Sequence, residues 1–353
     1  MPRETPGSLR ITAPFGAVNR QRLIQQFLSE SADAPWLAIY RLLLWTDKTT
    51  GLAHCYESDK CQPGKPWHPR SLRFHEWLAD SLEVRPRDLA EGIDWLFRHT
   101  ADDYAQYMVQ QYQNLLRRAR KQREPYANKE FPEPGEDPAI VDIVRDVLGD
   151  RLSAEPSEQE WRQMTQRIRE LVAVENKRKN LVGEGFEDVL GAVIRDYDKE
   201  RRLDVRTRVL LSEIPGFANT RLGDKPNKVD VAMIRCSDGH RTIVTAKWSI
   251  RADREKQFPA EFASYVMAKS DIRPFDYVLL TNEFDPARLK RACESAASNS
   301  VMFAKVVHIC PAALRAVYGN APESTMRDVI KYIDAGRILG IDEWLAGIVS
   351  ASQ

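Results

Sequence analysis

The chain has 353 residues, of which 43% are hydrophobic and 29% charged, with 52 Lys and Arg against 51 Asp and Glu. That length accommodates one large domain or two ordinary ones, and a net charge of +1 gives no global attraction to nucleic acid, so any DNA binding must be argued from local residues. No apolar run approaches the roughly eighteen residues of a membrane span, and Met1–Arg10 lacks an apolar signal core, so the expectation is an intracellular protein with no membrane partner. Five cysteines, Cys55, Cys61, Cys236, Cys293 and Cys310, are odd in number and irregularly spaced, which argues against a disulfide framework. Cys55 and Cys61 stand near His54, His68 and His75, but without a C-x-x-C the spacing fits no common zinc module; buried thiols and loop histidines are the expected meaning.

Residues 1–135 read as mostly helical. Apolar residues recur at helical spacing over Gln21–Leu28, Trp36–Leu44, Leu72–Leu82, Leu89–His99 and Tyr104–Leu116. Tyr104, Tyr107, Tyr112, Leu115 and Leu116 are expected to form one buried face. The basic run from Arg117 to Arg123 reads as a solvated helix end, with phosphate contact as the sharper alternative. Lys60–Pro69 is a loop by its prolines and glycine. Tyr126–Pro138, with several prolines and acids, marks the boundary between a helical domain, 1–135, and a second domain, 136–353.

Ile140–Leu148 and Trp161–Val174 are further amphipathic helices. From Asn176 the pattern changes. Gly183-Glu184-Gly185-Phe186-Glu187 is expected to open a helix that runs through Ile194. Strands follow at Val205–Leu211, Val229–Ile234 and Arg241–Lys247, the last two joined by a turn at Cys236–His240. A helix covers Ala260–Ala268. Tyr277–Thr281 and Val301–Ile309 are strands with a helix, Pro286–Ala297, between them. This order predicts a mixed α/β domain whose central sheet is covered on both faces.

The densest chemistry lies at the end of the Arg241–Lys247 strand. Side chains alternate across a strand, so Thr245 and Lys247 share a face, and Asp230 near the start of the neighbouring strand can meet Lys247 at one point. Phosphodiester hydrolysis needs what such a point offers: carboxylate oxygens for a divalent cation and a lysine beside the attacking water. The pattern is that of a P-D…(D/E)-x-K nuclease core, except that Thr245 stands where an acid belongs.

Residues 247–254, Lys-Trp-Ser-Ile-Arg-Ala-Asp-Arg, match a K-W-S-x-R-x-D-R signature, and Glu261 follows the lysine by fourteen positions (261 − 247 = 14). In these features the chain resembles the CCGG-recognising type II restriction endonucleases, most closely the BsaWI type, in which a helical part precedes the catalytic domain. That family replaces the strand acid by Ser or Thr and recruits a glutamate from the following helix. The resemblance covers residues 183–261; the helical first half agrees with it only loosely.

The resemblance implies a restriction-endonuclease-like α/β core behind a helical N-terminal domain. It implies a Mg2+ site formed by Asp230, Glu261 and the carbonyl of Ala246, with Lys247 placing or activating water. It implies base reading by Arg251, Asp253 and Arg254, with Ser249 also in the DNA-contacting signature. Arginine suits guanine O6 and N7, and a carboxylate suits cytosine N4; taken alone, the cluster is a surface ion-pair group. Glu187 or Glu184 would serve a second metal, the alternative being an acid at a helix start. Trp248 is expected to pack beneath the following turn. Pro259 either kinks a helix that carries Arg254 or opens a new helix with Glu261 in its first turn.

The implied protein is a homodimer, or a higher oligomer, in a prokaryotic cytoplasm. It would cut double-stranded DNA at a CCGG-centred palindrome to leave 5′-phosphates and four-base 5′ overhangs, with a cognate methyltransferase in the host. Two alternatives remain: a nuclease of the same core acting in repair or mobile-element defence without a fixed site, and a non-catalytic sequence-specific DNA-binding protein.

Overall fold

A computed structural model of the chain describes residues 17–31, 33–43, 63–85, 101–126, 138–148, 156–218, 227–250, 255–297, 300–320 and 322–351. The chain falls into two compact units, Met1–Asn19 with Phe97–Leu181 and Arg20–Leu96 with Val182–Gln353. The division read from the proline-rich stretch, 1–135 and 136–353, differs from these units. Helices α1 (Ala17–Glu30), α2 (Pro35–Leu43) and α3 (His68–Ser81) contribute Ile24, Ile39, Tyr40, Phe74 and Leu78 to the same buried core as the sheet. No helix among the described residues is long and apolar enough to cross a membrane.

The described residues of the first unit are helical for the most part. The unit contains α4 (Ala101–Arg123), α5 (Pro138–Leu148) and the first part of α6 (Glu158–Tyr197). The Arg145 guanidinium lies over the Trp161 ring at 5.3 Å. Leu115 is 63% exposed, which corrects the expected buried face of α4, and Arg117, Arg118 and Arg120 are exposed on its last turns. The expected helix Leu89–His99 lies outside the described residues.

The second unit is built on a six-stranded sheet in the order β1-β2-β3-β4-β7-β8. Strands β1 (Leu203–Leu210), β2 (Lys228–Arg235) and β3 (Arg241–Lys247) form an antiparallel meander. Strands β4 (Phe275–Thr281), β7 (Lys305–His308) and β8 (Ile338–Gly340) continue it in parallel. Parallel neighbours need crossovers. These run through α7 (Phe258–Ala268), α8 (Pro286–Glu294), and α9 (Pro311–Tyr318) with α10 (Ser324–Asp334); α11 (Ile341–Ser350) follows β8. Central strand β3 is buried along Arg241–Ala246, as the β-branched run Thr242-Ile243-Val244-Thr245 allows in a sheet covered on both faces. The fold is therefore α/β with a mixed sheet flanked by helices.

Three local expectations change. The helices expected at Trp161–Val174 and from Gly183 are one continuous helix, α6, so Gly183 and Gly185 lie inside it rather than at a start. A glycine in a helix costs only about 1 kcal/mol, and burial of Phe186, Val189, Leu190 and Val193 outweighs it. Ala296–Ala297 leave α8 and pair as β5 with β6 (Ser300–Val301), so the expected strand Val301–Ile309 is divided between β6 and β7. The expected boundary of β1 moves, since Leu211–Glu213 turn into a 3-10 helix.

Candidate active site

Asp230, third residue of β2, and Lys247, last residue of β3, meet at one end of the antiparallel pair. The pairing of Val231 with Val244 carries Asp230 to the level of Thr245. One oxygen of Asp230, Oδ2, accepts from Lys247 Nζ at 2.5 Å, from the Ala246 amide at 2.9 Å and from the Thr245 hydroxyl at 3.4 Å. Both charged side chains are about four-fifths buried, with exposures of 18% for Lys247 and 22% for Asp230. The lysine–carboxylate pair is partly desolvated and keeps some exposure to solvent.

Glu261 lies in the first turn of α7, which begins at Phe258 with Pro259 in that turn. Of the two readings of Pro259, a new helix is the one observed. The missing amide of a first-turn proline would have no helical partner anyway. Glu261 is half-buried, and Tyr277 Oη on β4 donates to its Oε2 at 3.2 Å. Tyr277 pairs with Ile243 and Leu279 with Thr245. The alternation of side chains therefore places Tyr277 on the sheet face of Thr245 and Lys247. Tyr265, one turn further along α7, has its hydroxyl pKa raised by burial and by the charges of both Glu261 and Asp230. The two carboxylates thus both act on the Tyr265 hydroxyl.

Glu187 is well inside α6, so its negative charge has no helix start to favour it. Its carboxyl is pushed up to about 7, first by burial and then by the charge of Asp230; Lys247 and Arg208 act in the opposite sense. Glu184, one turn earlier, is exposed and bonds through its carbonyl to Arg208. Between the two acids, Glu187 is the one that feels the Asp230–Lys247 pair.

Trp248 is 5% exposed and wedged edge-on between Phe186 at 5.3 Å and Tyr40 at 6.5 Å, as its packing role predicts. Ser249 is half-buried. The backbone leaving β3 is held from below: the Asn282 amide donates to the Trp248 carbonyl, and the Ile250 amide donates to Glu283 Oε2 at 2.7 Å. Asn282 in turn accepts from the Tyr40 hydroxyl. Sequence reading missed Asn282 and Glu283, which carry no motif. Arg251, Asp253 and Arg254 lie outside the described residues.

Among the described residues no three His, Cys, Asp or Glu side chains stand together as a ready-made metal cage. Asp230 is taken up by Lys247 and Glu261 by Tyr277. The donor set nevertheless fits a small divalent cation. Magnesium uses one or two carboxylates and keeps several waters. The charge of Asp230 also raises the proton affinity of Glu187 nearby, a local excess of negative charge that a cation relieves.

Searched against protein-family models and curated proteins, the chain matches none. The site must be judged on its own geometry.

Proposed function

We propose that the chain is a magnesium-dependent endonuclease of the CCGG-recognising restriction type, acting on double-stranded DNA as a homodimer. The observation that carries this reading is the meeting of Asp230 and Lys247 at paired strand ends, on the sheet face whose Tyr277 donates to Glu261 of α7.

Asp230, Glu261 and the carbonyl of Ala246 would hold the cation. Bound there, Mg2+ supplies charge neutralisation on the phosphate and lowers the pKa of a bound water. Lys247 Nζ, now on Asp230, has donors to turn toward the water and a non-bridging phosphate oxygen. The water oxygen bonds to phosphorus in line as the bond to the 3′ oxygen breaks. The products are a 5′-phosphate and a 3′-hydroxyl, with one proton released to solvent. Arg251, Asp253 and Arg254 follow directly on the pinned strand end, where side chains for guanine and cytosine edges are needed. Two chains related by a two-fold axis would read the four base pairs of CCGG.

Lys247→Ala tests the assignment. The variant is expected to lose roughly 10²–10⁴-fold in plasmid cleavage with Mg2+, the range for a proton-handling group, while sequence-specific binding in Ca2+ persists. Unchanged cleavage by the variant would refute the proposed centre. Fragments without discrete ends from the wild type would support the fixed-site-free nuclease instead.

A further inference from the structure

We propose that Arg208 is the resident counter-ion of Glu187 and limits the centre to a single divalent cation. The inference rests on the nuclease reading above, because it concerns the same carboxylates. It draws on observations which that reading does not use.

Arg208 lies within β1, across from Asp230. On either side the β1–β2 register is regular, with Thr207 opposite Val231 and Val209 opposite Val229, and the pairing lapses between them. At that point Arg208 has φ +50°, a left-handed backbone that side chains other than glycine rarely adopt. Nothing in the strand requires the conformation. It coincides with a guanidinium anchored to three groups of α6. Nη2 donates to the Asp188 carboxylate, Nη1 donates to the Glu184 carbonyl at 3.1 Å, and Nη1 stands 3.5 Å from Glu187 Oε2.

The anchor is itself fixed. The Asp188 side chain is fully buried, and its other oxygen accepts from Arg20 Nε at 2.7 Å on α1. Arg208 therefore cannot swing away without leaving a buried carboxylate half-compensated, which is strongly unfavourable. Each acid beside the strand ends thus carries its own cation. Asp230 has Lys247, which is free to turn toward the phosphate. Glu187 has Arg208, which is tied down. A hydrated divalent ion on Glu187 would have to stand where the guanidinium already is, against its positive charge. Glu187 then stays with Arg208 behind Asp230 and is not a ligand of a second ion.

The test is to titrate Mn2+ alone into the metal-free full-length chain and count bound ions by electron paramagnetic resonance. The wild type is expected to bind one ion per chain. Arg208→Met should bind two, and the second should vanish in Arg208→Met/Glu187→Gln. Arg208→Lys, which keeps the charge, should bind one. If Arg208→Met does not fold, Arg208→Gly decides, because glycine accepts the left-handed backbone and should also bind two. Two ions in the wild type would overturn the inference. So would one ion in a folded Arg208→Met or Arg208→Gly, and in each case the nuclease reading stands. An absence of bound Mn2+ in every variant would overturn the inference and the metal-dependent reading together.

Discussion

At the scale of single residues, the site combines groups whose protonation and partners are set by burial. The Tyr277 hydroxyl donates to Glu261, and Glu261→Gln keeps a group able to accept that bond. The variant is expected to melt within about 1 kcal/mol of the wild type, the worth of a single hydrogen bond, yet to cleave DNA at least roughly 10²-fold more slowly, as loss of a metal ligand requires. Differential scanning calorimetry and plasmid cleavage read the two effects separately. Glu283 gives a pH signature away from the chemistry. It is wholly buried, and burial pushes its carboxyl from 4.5 up to about 7 against the amides of Ile250 and Asp285. An acid whose pKa is raised by folding binds its proton more tightly in the folded state. Its contribution to stability is thus fullest below the unfolded value and is lost as pH rises from about 4.5 to about 7. The loss is at most about 3 kcal/mol, from 1.36 kcal/mol per pKa unit. Glu283→Gln should flatten that part of the stability–pH curve in urea titrations; an unchanged slope would show that Glu283 is not the group responsible.

At the scale of elements, α6 reaches β1 only because position 191 lacks a side chain. A Cβ there would stand 2.3 Å from the Thr207 methyl and close to the Arg195 guanidinium, which donates to the Val205 carbonyl. Gly191→Ala should destabilise the protein by about 1–3 kcal/mol, the usual cost of overpacking, despite alanine's better helix propensity. A stabilised variant in thermal melts would contradict this packing. Strand β3 was legible in the sequence, because the four consecutive β-branched residues Thr242-Ile243-Val244-Thr245 lead through Ala246 to a lysine. The first-turn location of Glu261 was half legible: the spacing indicated the residue, but Pro259 left two helices possible until packing decided. Continuity of α6 was not legible, since two glycines near position 184 look like a helix start when the sheet beneath them is unseen. Nor was Arg208, whose partners on α6 are distant in sequence. Asn282 and Glu283 escaped for the same reason: their role depends on β4 lying beside β3, and a local pattern cannot report which strands are neighbours. The elements after Ile309, including α9, α10, β8 and α11, had no sequence expectation at all.

Across the whole molecule, a net charge of +1 supplies no general pull toward DNA, so binding rests on a local basic surface whose salt sensitivity scales with the phosphates it neutralises. A palindromic site also demands two-fold symmetry, because each chain carries a single Lys247 and each strand must be cut. Light scattering of the complex with site-bearing DNA is expected to give the mass of that DNA plus twice the 40.4 kDa chain mass, or a multiple of that dimer. A monomeric complex would contradict the paired-strand mechanism. The central claim, that this centre hydrolyses DNA at a fixed CCGG-cored site, is tested most directly by run-off sequencing of a plasmid library digested with the wild-type protein in Mg2+. Discrete ends on both strands are expected, each bearing a 5′-phosphate and flanking CCGG with a four-base 5′ overhang. Intact DNA, or ends scattered without a shared sequence, would contradict that claim.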